Sequence, residues 1–311
     1  MTIIAAVSWS RQGSAPLNLA AQISRCTGDK IIAATIVERA WPPKGDPVED
    51  EYLRYVTSQA ARSLDRVVSQ LPGDLDIPTV VHQSTSIPTG LIELAALHDA
   101  GLVVVGSSSS GLLGRVALGS VTERLVHTAA VPVAIAPRGH AMESGAIRRL
   151  TAAYGGEADI NGLIAAAAEL AKEWSVRLRI VSFTVRPAPI FAGTIETSAE
   201  DLVVQQWARR TFEDIVKQLN AVRAHIPVPD VDVVVGTGYD WREAVESVSW
   251  ETGDMLALGS GAAGQVAQVF LGSAASKILR HAPVPVMIVP RQPNVGIGRR
   301  GSSPSITQHD L

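Results

Sequence analysis

Short apolar runs punctuate this chain, and between them apolar residues recur every three or four positions. In the first half the runs fall at residues 3–7, 31–37, 77–82, 102–105 and 131–136, and the helical periodicity falls at 13–26, 50–70, 88–99 and 120–129. The second half repeats the order, with strands expected at 149–153, 177–184, 230–235, 255–258 and 284–289 and helices at 159–173, 199–224, 240–251 and 273–281. Strands alternating with helical segments specify a parallel sheet covered by helices on both faces. The expected fold is α/β and doubly wound, built twice.

The repetition extends to individual residues. Leu102-Val103-Val104-Val105-Gly106 leads through Ser107 to Leu118 into Gly119-Ser120, and Met255-Leu256-Ala257-Leu258-Gly259 leads through Ser260 to Leu271 into Gly272-Ser273. Gly259 lies 153 residues after Gly106, and Gly272 lies 153 after Gly119. The segment Val131-Pro132-Val133 to Pro137-Arg138 returns at the same spacing as Val284-Pro285-Val286 to Pro290-Arg291. A spacing held from strand to strand marks a duplicated domain. Earlier in each copy the offset is 147, pairing Ser8 with Gly155 and Ile36 with Phe183, so six residues are expected to be inserted in the loop 186–198. The units expected are a first domain at 1–138, a linker at 139–147, a second domain at 148–291 and a flexible tail at 292–311.

Composition adds mainly exclusions. The 311 residues suffice for two domains, each with its own core, and are 46% hydrophobic and 18% charged with a net charge of −3. No basic run supplies an electrostatic basis for binding nucleic acid. No apolar stretch approaches the roughly 20 residues a membrane span needs. Met1 to Ser8 reads as a first strand, not a leader, and the single cysteine, Cys26, excludes an internal disulfide. A cytoplasmic location is expected.

Two familiar phosphate motifs fail on inspection. Gly106-x4-Gly111 opens like a P-loop, but Leu112-Leu113 stands where Lys and Ser or Thr must reach phosphate and magnesium. Gly259-Ser260-Gly261-Ala262-Ala263-Gly264 has dinucleotide-binding spacing, yet no Asp or Glu follows between Asp254 and Asp310 to hold a ribose. What remains is a glycine at a strand end, a loop of small residues, and Gly-Ser opening a helix. Ser120-Val121-Thr122-Glu123 reads as a capping box with Ser120 at the N-cap. Free N–H groups and the positive dipole end there suit an anion such as phosphate. An ordinary loop and helix cap is the plainer reading of one such motif; recurrence at one spacing favours a site.

Gly106-x2-Ser109-x9-Gly119-Ser120, with the helix and Val-Pro-Val strand that follow, resembles the universal stress protein family, whose ATP-binding members carry G-x2-G-x9-G-(S/T). Gly259-x2-Ala262-x9-Gly272-Ser273 matches again, and the resemblance covers residues 1 to 291. It implies two five-stranded adenine nucleotide α-hydrolase-like domains paired through their last strands as an internal pseudo-dimer, with further homodimerisation open. It also implies a stress-response regulator, not an enzyme beyond slow hydrolysis, with ATP and magnesium as ligand. The implied nucleotide-binding residues are Ser8, Ser10, Ile36, Gly106, Ser107, Ser109, Arg115, Gly119 and Ser120 in the first copy and Gly259, Ala262, Gly272 and Ser273 in the second.

The chain departs from that family pattern in two places. The middle glycine is Ser109 in one copy and Ala262 in the other, and side chains there cost about 1 kcal/mol if φ is positive. The family's aspartate after the first strand is Ser8, and in the second copy Gly155 or, with a one-residue slip, Tyr154. The first copy is the better candidate, because Ser107 to Ser110 offer four hydroxyls and Arg115 lies in the same loop. Ile36 and Phe183 read equally as an adenine wall or as core. Trp9 could stack on a base or pack, and Asp240 is expected to cap the helix after it. The histidines show no metal spacing. The competing reading is a nucleotide-free scaffold that acts by protein–protein association; a catalytic α-hydrolase would need a Ser-Gly-Gly-x-Asp-Ser motif that neither first strand supplies.

Overall fold

The computed structural model describes residues 1–9, 13–39, 46–141, 145–155, 162–186, 197–228, 230–262 and 269–290. The first copy runs β1 (Thr2–Ala6), α1 (Ala15–Thr27), β2 (Lys30–Glu38), α2 (Pro47–Val68), β3 (Thr79–Ser84), α3 (Ile87–Leu97), β4 (Ala100–Gly106), α4 (Ser120–Thr128) and β5 (Val133–Ala136). The second runs β6 (Arg149–Ala153), α5 (Leu163–Glu173), β7 (Arg177–Val185), α6 (Thr197–Arg223), β8 (Val231–Gly238), α7 (Trp241–Glu246), β9 (Asp254–Gly259), β10 (Gly261–Ala262), β11 (Val269–Phe270), α8 (Ser273–His281) and β12 (Val286–Val289).

Ten strands form one sheet in the order β3-β2-β1-β4-β5-β12-β9-β6-β7-β8, parallel within each copy. The copies meet where β5 and β12 pair antiparallel, with Ala134 opposite Met287, its own counterpart 153 residues on. A local two-fold axis therefore passes between these residues. The register is repeated as well: Ile4 faces Val103 on β4, and Thr151 faces Leu256 on β9.

Central strands buried on both faces need no polar alternation. In β4, Leu102 and Val104 pack with Leu17 and Ile23 of α1, while Val103 and Val105 pack with Leu91 of α3 and Leu125 of α4. The helices divide accordingly: α1, α2 and α5 bury their apolar stripes on one face with α6, and α3, α4, α7 and α8 on the other. Both apolar layers run through the junction of the copies, so the pair shares a continuous core.

Several boundaries differ from the sequence expectation. Helix α2 starts at Pro47, earlier than residue 50, because the Asp46 side chain accepts from Val48 N at 2.9 Å and proline suits the first helical position. Helix α7 ends at Glu246, well before residue 251. There Trp250 Nε1 donates to Val245 O at 2.8 Å, and Arg179 Nη1 donates to Ser249 O at 2.7 Å, holding the chain in a turn. The start expected at 159 and the six-residue insertion in the loop 186–198 fall largely on residues outside the described set, as does the tail. Asp240 is the N-cap of α7, accepting from Glu243 N at 2.8 Å, and that bond holds its carboxyl below the usual range.

Candidate functional site

The strand order reverses between β1 and β4 in the first copy and between β6 and β9 in the second, which is where open α/β sheets hold ligands. Gly106 and Gly259 close β4 and β9 at these points. Because β1 lies beside β4, Ser8 comes to the same sheet end as Gly106. Ser10 lies outside the described residues.

The loop 107–118 is closed by its own hydrogen bonds. Ser107 N donates to Ala136 O at 2.9 Å, Ser108 N to Ala117 O at 2.8 Å, and Ala117 N to Ser107 Oγ at 2.8 Å. Ser108 and Ser110 share a hydroxyl hydrogen bond of 2.9 Å, so the expected array of four open hydroxyls is spent largely inside the loop. Ser109 is exposed and carries a partner of its own. Arg138, at the end of the repeated Val-Pro-Val segment, donates from Nη1 to Gly111 O at 2.8 Å and steadies the loop tip. Sequence reasoning missed this role, although the recurrence of Pro-Arg at 290–291 pointed to it.

The expected capping box does not form. Gly119, not Ser120, holds the N-cap position with φ −100° and ψ 171°, no side chain caps the helix, and Glu123 N donates to Gly119 O at 2.8 Å. Ser120 is the first helical residue and is exposed. With the first closing bond at Glu123, the N–H groups of Ser120, Val121 and Thr122 have no intrahelical acceptor. They point out of the helix start, beside Ser108.

The signature glycines are not required by the fold. Positive φ among the described glycines belongs to Gly28, Gly114, Gly139, Gly162 and Gly253, none of them a signature position. A Cβ on Gly119 would come to 3.5 Å from Ser108 Cβ, one on Gly259 to 3.6 Å from Leu163, and one on Gly106 to 3.4 Å from Pro16; one on Gly272 would meet nothing within 4 Å. By contrast, a Cβ on Gly236 would sit 2.5 Å from Ala244 O, so packing compels that glycine. The middle position is equally relaxed in the first copy, since the non-glycine residues with positive φ are Asp99 and Ser175, not Ser109.

Two expected site residues are committed elsewhere. Arg115 turns away from its own loop and crosses the two-fold axis: Nη1 donates to His281 O at the end of α8, and Nη2 to Glu246 Oε1 at 2.8 Å. It is drawn there by a helix carboxyl end and a carboxylate, both attractive to a guanidinium. Ile36 is 5% exposed and fills the space over Gly90 of α3, so its side chain belongs to the core.

The second copy reproduces the closure. Ser260 N donates to Val289 O at 3.1 Å, and β10 pairs antiparallel with β11, with Gly261 opposite Phe270 as Ser108 is opposite Ala117. Ala262 takes part in this two-residue ladder. Gly272 is the N-cap of α8 and Ser273 its first residue, matching Gly119 and Ser120. Tyr154 N donates to Val181 O at 2.7 Å as Val7 N does to Ala34 O, so Gly155 is the counterpart of Ser8; Tyr154 is buried among Ile164, Ile180, Ile215 and Leu219. Trp9 is 41% exposed and its carbonyl accepts from Ser63 Oγ. Cys26 Sγ donates to Ile147 O at 3.1 Å, and burial raises its pKa, as befits a packing thiol. Among the described residues no cluster of three or more His, Cys, Asp or Glu could hold a metal, and no helix is long and apolar enough to cross a membrane.

Comparison with known proteins agrees with this architecture. The profile of the universal stress protein family matches residues 1–137 and again residues 146–290. Universal stress proteins of Mycobacterium tuberculosis and Mycobacterium bovis are 32% identical over 295 residues, covering 93% of this chain and all of theirs. Among solved structures, a putative universal stress protein of Pseudomonas aeruginosa is similar with a TM-score of 0.54 at 14% identity, covering 93% of this chain and 92% of that one. A universal stress protein of Archaeoglobus fulgidus gives 0.53 at 15%, covering 93% and 96%. With both copies matched and the strand order and glycine loops in place, the chain belongs to the universal stress protein family as a tandem member.

Proposed function

We propose that this chain is a stress-response regulatory protein that binds an adenine nucleotide, ATP with magnesium, at the loop of the first copy. The observation that carries the reading is the set of glycines at 106, 119, 259 and 272. None has a positive φ, and none would bring a Cβ closer than 3.4 Å to the chain itself. A position kept small without an internal reason is suited to close approach from outside, and at Gly119 that approach meets the open N–H groups of α4. The bound phosphates would lie against Gly119, Ser120 and the backbone of the loop, with Ser8 near the strand end in place of a carboxylate. That exchange removes a charged acceptor worth about 1.5–3 kcal/mol, which points to modest affinity. Ligand state would act on partner binding, with turnover slow at most.

A second reading, the nucleotide-free scaffold, draws on α2. Its first three turns bury no residue, Ala60 being the first in the core, and they carry Val48, Tyr52 and Tyr55 at 73%, 64% and 61% exposure. That spacing aligns the three on one helical face, a surface suited to protein association. Titrating nucleotide-stripped protein with ATP and magnesium in a calorimeter separates the readings. Micromolar binding supports the nucleotide site; no heat and no thermal stabilisation at millimolar ATP refutes it and leaves the scaffold.

A further inference from the structure

Arg115 belongs to the first copy by sequence and to the second by its contacts. Its backbone is fixed in the loop, since its N–H donates to Leu112 O at 3.1 Å and its carbonyl accepts from Arg138 N at 3.1 Å. Its guanidinium leaves the loop and ends on the last residues of two helices of the other copy, His281 O of α8 and Glu246 of α7. Those helices pack on each other, with Lys277 of α8 over the Trp241 ring of α7 at 5.6 Å. Helix α8 begins at the second copy's own Gly272 and Ser273. One rigid helix of nine residues thus has the second glycine cradle at its start and a residue from the first cradle's loop at its end.

The sequence makes the charge one-sided. The counterpart of Arg115, 153 residues on, is the uncharged Gln268. Counted from the N-caps Ser86 and Asp240, the counterpart of Glu246 is the uncharged Ile92, and the neighbouring Glu93 accepts from His82 Nε2 of its own copy at 2.7 Å. The two-fold axis relates the folds, but the charge of Arg115 is not repeated at the related position.

We infer that Arg115 is a positioning residue that braces the first copy's ligand loop against α7 and α8 of the second copy, so that nucleotide binding at the first loop is coupled to the state of the second copy. The coupling rests on the nucleotide reading above; the brace itself does not. A guanidinium that gives one charge-assisted bond to a helix end and another to a carboxylate fixes the loop without touching the ligand. What the second copy does to that contact alters the first site, and by linkage ligand at the first site favours the braced arrangement of α7 and α8.

The test uses the full chain and three variants, Glu246→Ala, Arg115→Lys and, as control, Glu93→Ala. Amide hydrogen exchange without ligand is expected to quicken in residues 111–118 by about tenfold in Glu246→Ala and less in Arg115→Lys, with no change in Glu93→Ala, as for loss of one charge-assisted bond. ATP titration is expected to show affinity about five- to tenfold weaker in Glu246→Ala, a residue in neither loop. Unchanged exchange in both Glu246→Ala and Arg115→Lys would overturn the brace. Faster exchange with unaltered affinity would overturn the coupling. If wild-type protein takes up no ATP, the nucleotide reading and the coupling both fail, and exchange alone decides the brace.

Discussion

Replacing Asp254 by alanine removes the carboxylate that faces two buried guanidinium groups. Asp254 is 2% exposed and accepts from Arg149 Nε at 2.8 Å and Nη2 at 2.6 Å, while Arg179 Nη2 stands 3.5 Å away. Arg179 is 1% exposed, lies 4.8 Å over the Trp250 ring and gives Nε to Thr151 Oγ1 at 3.0 Å. Burial, and then the neighbouring Arg149, draw its pKa down. Removing one partner of a buried pair costs about 3–5 kcal/mol, because the other charge is left without compensation. Glu251 at 3.8 Å from Arg149 is too exposed to replace Asp254. For a unit of this size each kcal/mol lowers Tm by about 2–4 °C, so Asp254→Ala should melt roughly 6–20 °C lower by scanning calorimetry. The first copy supplies a control, since its corresponding positions, Thr2, Ile32 and Gly101, carry no charge. The combined variant Arg149→Thr, Arg179→Ile, Asp254→Ala should therefore lose less than the single one. A loss below about 1 kcal/mol for Asp254→Ala, or a triple variant less stable than the single, would refute the reasoning.

Three further outcomes follow from local geometry. Gly119→Ala should fold with a loss below about 1 kcal/mol, whereas Gly236→Ala should lose about 2 kcal/mol or more, because its Cβ would meet Ala244 O at 2.5 Å; chemical denaturation compares them directly. Asp46→Ala should cost about 1 kcal/mol and quicken amide exchange in the projecting first turns of α2, whose N-cap bond it removes. His140, held against Gln22 Oε1 at 2.9 Å, has its pKa lowered by burial, so the unfolded chain takes its proton more readily. The sign follows: its effect on stability is absent above the ordinary value near 6.5, and stability falls as pH drops through that value towards the lowered one. Urea midpoints of His140→Gln should depend less on pH across that window than those of the wild type.

The sheet was legible because its central strands, such as Leu102 to Val105, are apolar on both faces and recur at fixed spacing, leaving periodicity little to misread. Asp240 was legible for a local reason, its bond lying three residues away. Arg115 was not, because the groups that claim its guanidinium lie 131 and 166 residues further along. The early end of α7 has the same origin, as the Ser249 carbonyl is held by Arg179, 70 residues earlier. Ile36 lay at a strand end where a wall and a core residue share one pattern, and the contact with Gly90 decides between them. The N-cap lies at Gly119 and not at Ser120 because Glu123 N closes the first helical turn on Gly119 O, a backbone bond that the Ser-x-x-Glu pattern does not disclose.

The most direct test compares ATP titrations of nucleotide-stripped wild type, Gly119→Glu and Gly272→Glu, the variants placing a carboxylate at the start of α4 or of α8. The account predicts micromolar binding in the wild type, loss of it in Gly119→Glu and its retention in Gly272→Glu. Equal binding in wild type and Gly119→Glu, or none in the wild type at millimolar ATP, would contradict a nucleotide site in the first copy.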